Sequence, residues 1–175
     1  MSKNWKFLGR TTTSQPAELW KFETPKKKVV DIAISQGKNF VVVFALTPDK
    51  KVVLVHEYYF TAKRSMPKLV AGRIDQGERP RVTAIRELLE ETGCKGKKVI
   101  SLGHSLRGKY VVAKAYHFLI LDVQRISDQN LEESEDIEVK FFSLSQFKKL
   151  LFAGRLYDMI NEVTAYRALK YLKEL

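Results

Sequence analysis

A chain of 175 residues fits one domain, and at 45% hydrophobic and 11% aromatic it can bury a core. Three features point to a soluble, cytoplasmic protein: no apolar run reaches the ~18 residues of a membrane helix, "MSKNWKFLGRTTTSQ" lacks the apolar stretch of a signal peptide, and the single Cys94 excludes an internal disulfide or a cysteine-based zinc site. A net charge of +11 points to an anionic partner, either phosphate compounds, nucleic acid or a membrane surface, but the dense basic run Lys26-Lys27-Lys28 is too short to be a nucleic-acid arm on its own.

Residues 1–35 carry short strand-like pieces, "WKFLG", "ELWKFET" and "KVVDIAIS", punctuated by Pro16 and Pro25. They are read as a β-rich N-terminal segment, with residues 36–175 as the main domain. "NFVVVFAL", the turn "TPDKK" and "VVLVHEYYF" predict a buried hairpin. A loop through Met66-Pro67 leads into "KLVAG", a short strand ending at Gly72. Pro80 suits the first turn of a helix and Gly93 its C-cap. Val82, Ile85 and Leu89, with Leu88 beside them, predict its core stripe. "KKVISLGHSL", "KYVVAKAYHFLILDV" and "IEVKFFSL" read as strands. Two helices follow. One starts at Ser143 or Ser145 and runs to about Ala153. The other spans about Asp158 to Leu172, with Ile160, Val163, Ala165, Leu169 and Leu172 toward its apolar side. Strands, helix, strands, helices is the order of an α/β/α layer architecture with a mixed sheet.

The end of the first helix is anomalous. Glu87, Glu90 and Glu91 crowd a terminus whose partial negative charge prefers Lys or Arg. At ~100° per residue the three carboxylates share one sector, away from Val82, Ile85 and Leu89. Mutual repulsion and the helix dipole both oppose a merely solvated acidic face. A divalent cation reverses both terms, and oxygen donors without His or Cys select Mg²⁺ or Mn²⁺. Mg²⁺ takes one or two carboxylates and completes its shell with water and phosphate oxygens, so the expected substrate is a phosphate ester or anhydride.

The same residues resemble the Nudix box, G-x5-E-x7-R-E-U-x-E-E-x-G-U with U aliphatic. They read Gly72, Glu78, Arg86-Glu87-Leu88, Glu90-Glu91 and Gly93, with Cys94 at the last position. All seven fixed polar or glycine positions are met; chance agreement is on the order of 10⁻⁸ per starting position. The resemblance implies a Nudix α/β/α sandwich with a small N-terminal antiparallel sheet. It implies Glu87, Glu91 and the Ala71 carbonyl as direct metal ligands, and Glu90 as a ligand through water or a further ion. Arg86 would orient the glutamates, Gly72 would permit the tight loop, and Glu78 would brace it. The implied reaction is metal-assisted hydrolysis of a nucleoside diphosphate linked to another moiety.

Beyond the box, "VVLVHEYYF", "KLVAGRIDQGE" and "EESEDIEVKFFSLSQFKKLLFAGRLYD" resemble the ADP-ribose pyrophosphatase branch. That branch implies a catalytic base on the acidic loop, with Glu133 first and Glu135 second, and a homodimer built through the N-terminal sheet. The chain departs from the branch at His56 to Phe60, at Lys68, at Val70 and at Leu106-Arg107-Gly108. Arg64, Lys68, Arg73 and Arg107 are candidate phosphate clamps, and Tyr58, Tyr59 or Phe60 a stacking surface for a base. His56, His104 and His117 lack metal-ligand spacing and read as structural. The leading expectation is a Mg²⁺- or Mn²⁺-dependent nucleoside diphosphate sugar hydrolase, with the small-molecule substrate as partner and no membrane. The alternatives are a pyrophosphohydrolase of nucleoside triphosphates, dinucleoside polyphosphates or RNA 5′ ends, which makes nucleic acid the less favoured partner, and a non-catalytic nucleotide-binding module.

Overall fold

In the computed structural model, residues 17–131 and 136–175 are described. The chain builds its centre from β-branched residues. In β3 (Phe40–Leu46), Val42, Phe44 and Leu46 turn to one face while Val41, Val43 and Ala45 turn to the other. This is the two-residue period of a strand buried on both sides. β4 (Lys51–Tyr59) does the same with Val52 and Leu54 against Val53 and Val55. The first face packs on α2 (Leu144–Phe152) and α3 (Met159–Leu172), with Phe44 edge-on to Phe147 at 5.2 Å between centroids. The second packs on α1 (Pro80–Thr92) through Ala84 and Leu88. The result is the expected α/β/α sandwich.

The sheet runs β1 (Glu18–Glu23), β2 (Val29–Gln36), β9 (Val111–Leu121), β3, β4, β11 (Ile137–Ser143). β8 (Lys98–Gly108) pairs the other side of β9. β3 runs parallel to β9 and β4 antiparallel to β3, so the sheet is mixed. β7 (Cys94–Lys95) and β10 (Gln124–Arg125) form a separate short ladder.

The β3–β4 hairpin forms as expected but pairs only at Ala45–Leu46 with Val52–Val53. Beyond that the strands separate. β6 (Val70–Arg73) takes the vacated edge of β3, and β5 (Arg64–Lys68) pairs with β4. Two expectations change here. Met66-Pro67 lies inside β5, where a proline is tolerated at an edge, and "KLVAG" is divided between β5 and β6 at Leu69. The splay opens the sheet where the first glycine of the motif sits.

The helix ends follow their capping residues. Pro80 occupies the first turn of α1, and Gly93 adopts the left-handed conformation at φ 68° with its N–H donating to the Leu89 carbonyl. Ser143 and Gln146 form a reciprocal capping box at α2, and Asp158 accepts from the N–H groups of Ile160 and Asn161 at α3. On α3, Ala165 and Leu169 are buried, whereas Ile160, Val163 and Leu172 are half-buried; Asn161 and Thr164 take their place inside. Among the described residues no helix is long and apolar enough to cross a membrane.

Candidate active site

α1 is rolled opposite to the expected orientation. Val82, Ile85 and Leu89 are 45%, 37% and 36% exposed, while Thr83, Ala84, Glu87, Leu88, Glu91 and Thr92 are buried. The small Ala84 and the single Leu88 make the core contact, and the carboxylates of Glu87 (8% exposed) and Glu91 (2%) are carried inward with them. This roll runs against ordinary packing, since burying a carboxylate costs free energy whereas burying a leucine gains it.

Glu87 lies against the backbone of β6. A β-carbon placed on Gly72 would fall 1.8 Å from the Glu87 carboxyl carbon, so the absent side chain is the space the carboxylate fills. Arg86 is the hub beside it. Its Nη1 donates to Glu90 at 2.7 Å and stands 2.9 Å from Glu87. Its Nε and Nη2 donate to the two oxygens of Glu78 at 3.2 and 3.1 Å, and Nη2 also donates to the Arg73 carbonyl at 3.2 Å. Asp75 adds an ion pair at 3.7 Å. Thr83 donates its hydroxyl to Glu78 at 2.7 Å. The guanidinium holds the Glu78 carboxyl below its ordinary range, and Glu78 in turn raises Arg86 further. Arg86 and Glu78 thus link the β6–α1 loop to the helix, with bidentate geometry.

The carbonyl end of α1 is closed by the loop that follows β10. Asn130 N–H donates to the Glu90 carbonyl at 2.9 Å, and the Gln129 side chain donates to the Glu91 carbonyl at 2.7 Å and to the Ile137 carbonyl at 3.1 Å. Gly93 accepts from Ile126 N–H and Ser127 N–H in the same loop. Glu133 and Glu135, the expected base, lie outside the described residues.

Lys68, at the end of β5, is 12% exposed. Its ammonium bonds Glu57 and lies 3.7 Å from Glu91 Oε1. Burial works against its charge, but the attraction of Glu91 and Glu57 outweighs it and holds the ammonium above the ordinary lysine range.

Two cavities adjoin at this point. One, of about 630 Å³, is lined by Lys38, Lys68, Arg73 and Arg107, by Phe40 and Tyr59, and by Asp158 and Asn161. The other, of about 730 Å³, is lined by Glu57, Phe60, Asp75, Arg86, Glu87 and Glu90, with Asn130 and Leu131. Lys38, Ala71, Gly72 and Arg73 line both. Burial pushes the Tyr59 hydroxyl up to about 12, and the Asp158 charge adds to this, so Tyr59 stays a neutral donor.

The sequence-selected Lys68, Ala71, Gly72, Arg73, Arg86, Glu87, Glu90, Tyr59 and Arg107 therefore converge on these walls. Arg64 lies instead over the Tyr157 ring at 4.8 Å and does not line either cavity; Tyr58 packs edge-on to Phe60 at 5.5 Å. Lys38, Glu57, Asp158 and Asn161 were not selected. Asp158 entered only as the start of the last helix and the end of the segment that resembles the pyrophosphatase branch, and Lys38 sits in a two-strand link whose place beside Gly72 depends on the sheet order. His117 is buried, bonded to Thr164 at 2.7 Å and Ser105 at 2.9 Å. Burial lowers its pKa to about 4, which makes it a weak base, and it lines neither cavity.

The donor set suits a hard cation in part. Glu87 and Glu91 share a buried face one turn apart, with Gly72 leaving room at Glu87. Among the described residues no three His, Cys, Asp or Glu side chains are grouped so as to hold a metal ion; Arg86 pairs with Glu90 at 2.7 Å and Lys68 stands 3.7 Å from Glu91. One or two carboxylates are the usual protein share of a Mg²⁺ shell.

The NUDIX domain model matches residues 36–163, most of the chain. The chain belongs to the Nudix family. It is 29% identical over 153 residues to the ADP-ribose pyrophosphatase of Bacillus subtilis (strain 168), covering 86% of this chain and 80% of that protein. It is 28% identical over 156 residues to the methanol dehydrogenase activator of Bacillus methanolicus, covering 87% and 82%. The crystal structure of an ADP compounds hydrolase superposes with a TM-score of 0.74 at 21% identity, over 87% of this chain and 83% of that one, a likeness of fold. As a Nudix hydrolase the chain is an enzyme, and it is similar at modest identity to an ADP-ribose pyrophosphatase.

Proposed function

We propose that this Nudix hydrolase cleaves the diphosphate of ADP-ribose or a related nucleoside diphosphate sugar, releasing a nucleoside monophosphate and a sugar phosphate. The observation that carries the reading is the meeting of a cationic, aromatic cavity and an acidic one along Ala71, Gly72 and Arg73. Such a substrate places two anionic phosphates between an aromatic base and a neutral sugar. Tyr59 or Phe40 offers the base a ring face. Lys38, Lys68, Arg73 and Arg107 surround the phosphates with charge-assisted donors. Asp158, the carboxylate of that cavity, is placed to accept from sugar hydroxyls. The names of the B. subtilis relative and of the structural neighbour, both of ADP-bearing compounds, agree with this assignment.

Glu87 and Glu91 would hold Mg²⁺ or Mn²⁺, with the Ala71 carbonyl as a further donor and Glu90 acting through water or a second ion. When bound, the metal polarises the phosphoryl oxygens and lowers the pKa of its water. Arg86 fixes Glu87 and Glu90 in position, and Gly72 admits the Glu87 carboxylate to the backbone. Water attacks one phosphorus, its proton goes to a carboxylate, and the anhydride P–O bond breaks with its electrons leaving on the phosphate product. Glu133, then Glu135, is the candidate acceptor; Asn130 and Leu131, which precede them in the chain, line the acidic cavity. The reading includes a homodimer through the β1–β2 hairpin, which exposes Leu19, Trp20, Phe22 and Val29.

Incubation with a panel of diphosphates in Mg²⁺ and ¹⁸O-water, with products identified by mass spectrometry, tests the proposal. AMP and ribose phosphate from ADP-ribose, one of them labelled, are expected. Preferential turnover of RNA 5′ ends, with affinity falling steeply in salt, would move the assignment to nucleic acid. Binding without hydrolysis of any compound would favour a non-catalytic nucleotide-binding role.

A further inference from the structure

Three observations converge on Lys68. Its buried ammonium bonds Glu57 and lies 3.7 Å from Glu91 Oε1. Glu91 shares its buried helix face with Glu87, the carboxylate in the Gly72 cradle. The backbone around Lys68 is held on both sides: Pro67 sits opposite His56 in the β4–β5 ladder, and Leu69 N–H donates to Asn161 Oδ1 at 2.8 Å. The ammonium is therefore a built part of the cleft wall.

A nearby cation stabilises a buried carboxylate, and removing that cation leaves an uncompensated charge. A metal ion supplies the charge only while bound, whereas a lysine supplies it permanently. We propose that Lys68 takes the place of one divalent ion beside Glu91. The Lys68 ammonium faces Glu91 Oε1 at ion-pair distance, so a divalent ion at that oxygen would meet a fixed positive charge. The chain thus carries one divalent ion fewer than its carboxylates would otherwise collect. The inference rests on the metal-dependent reading of this face. It adds that Lys68 sets the metal count and keeps the metal-free helix end stable.

Mn²⁺ binding to the full chain without nucleotide is counted by the electron paramagnetic resonance signal of the free ion. Wild type, K68R, K68M and K68M/E57Q are compared. K68M and K68M/E57Q are expected to bind one further Mn²⁺ per chain than wild type and K68R. In parallel, K68M is expected to melt below wild type in EDTA and to gain more from Mn²⁺. Should K68M not fold, the double variant, which removes one charge of each sign, carries the count. Equal counts in all variants overturn the role of Lys68 and leave metal dependence standing. No Mn²⁺ bound by any variant overturns both. No ion in wild type with one in K68M/E57Q supports the role of Lys68 and removes the metal from the wild-type reaction.

Discussion

Gly72→Ala separates the chemistry of the cleft from its stability. The added β-carbon would stand 1.8 Å from the Glu87 carboxyl carbon and 2.0 and 2.2 Å from its oxygens. Ordinary carbon contact begins at ~3.5 Å, so the carboxyl carbon must retreat by about 1.7 Å. A misplacement of about 1 Å at a reacting centre costs about 100-fold in rate, so kcat for ADP-ribose is expected to fall about 100-fold or more. Stability moves little. Alanine restricts the unfolded chain, a gain of about 0.4–1 kcal/mol. The Arg86–Glu87 pair loosens, but Arg86 keeps Glu78 and Glu90, so the loss is of similar size. The melting temperature should stay within about 4 °C of wild type. Steady-state kinetics beside thermal unfolding reads both quantities. A kcat within threefold of wild type would refute the placement of Glu87 at the reacting centre. A collapse in melting temperature would make Gly72 a folding residue instead.

Other consequences follow from the same geometry. Gly93→Ala forces a left-handed alanine whose β-carbon meets the Ser127 carbonyl oxygen at 2.1 Å; a loss of about 2–4 kcal/mol is expected by urea unfolding, and a change under 0.5 kcal/mol would remove this cap from the account. His117 has a folded pKa of about 4, below its ordinary 6.5, so the unfolded chain binds a proton that the folded one refuses. Stability should therefore fall as pH falls through that window, by about 2 kcal/mol from pH 7 to 5, and His117→Gln should remove most of that slope; an unchanged slope would place the effect elsewhere. If the proposed dimer forms through the exposed hairpin, Trp20→Glu should shift it toward monomer in size-exclusion chromatography with light scattering, and a wild-type monomer would contradict that proposal outright.

Strand order of hydrophobicity and capping residues made most of the layer architecture legible, because burial on two faces and backbone hydrogen bonding are local demands. The roll of α1 was not legible. Its sequence offers an apolar stripe and an acidic sector, and periodicity identifies faces without saying which turns inward. The ordinary rule favoured Val82, Ile85 and Leu89; the contact of Glu87 with Gly72 reverses it. The divergence of β3 from β4 was likewise hidden, since it depends on β6 competing for the same edge. Within the cleft, the motif spacing found the residues of α1 and its loop. Lys38 and Asp158 come from distant elements that only the sheet order brings together, and the bond between Lys68 and Glu57 depends on the register of β5 against β4.

The most direct measurement is the rate of AMP release from ADP-ribose against Mg²⁺ concentration, for wild type and Glu87→Gln of matched thermal stability. Saturable Mg²⁺-dependent turnover is expected in wild type, abolished by EDTA, with a loss of about 100-fold or more in the variant. Equal turnover by the two proteins, or wild-type turnover indifferent to EDTA, would contradict metal-dependent hydrolysis through Glu87.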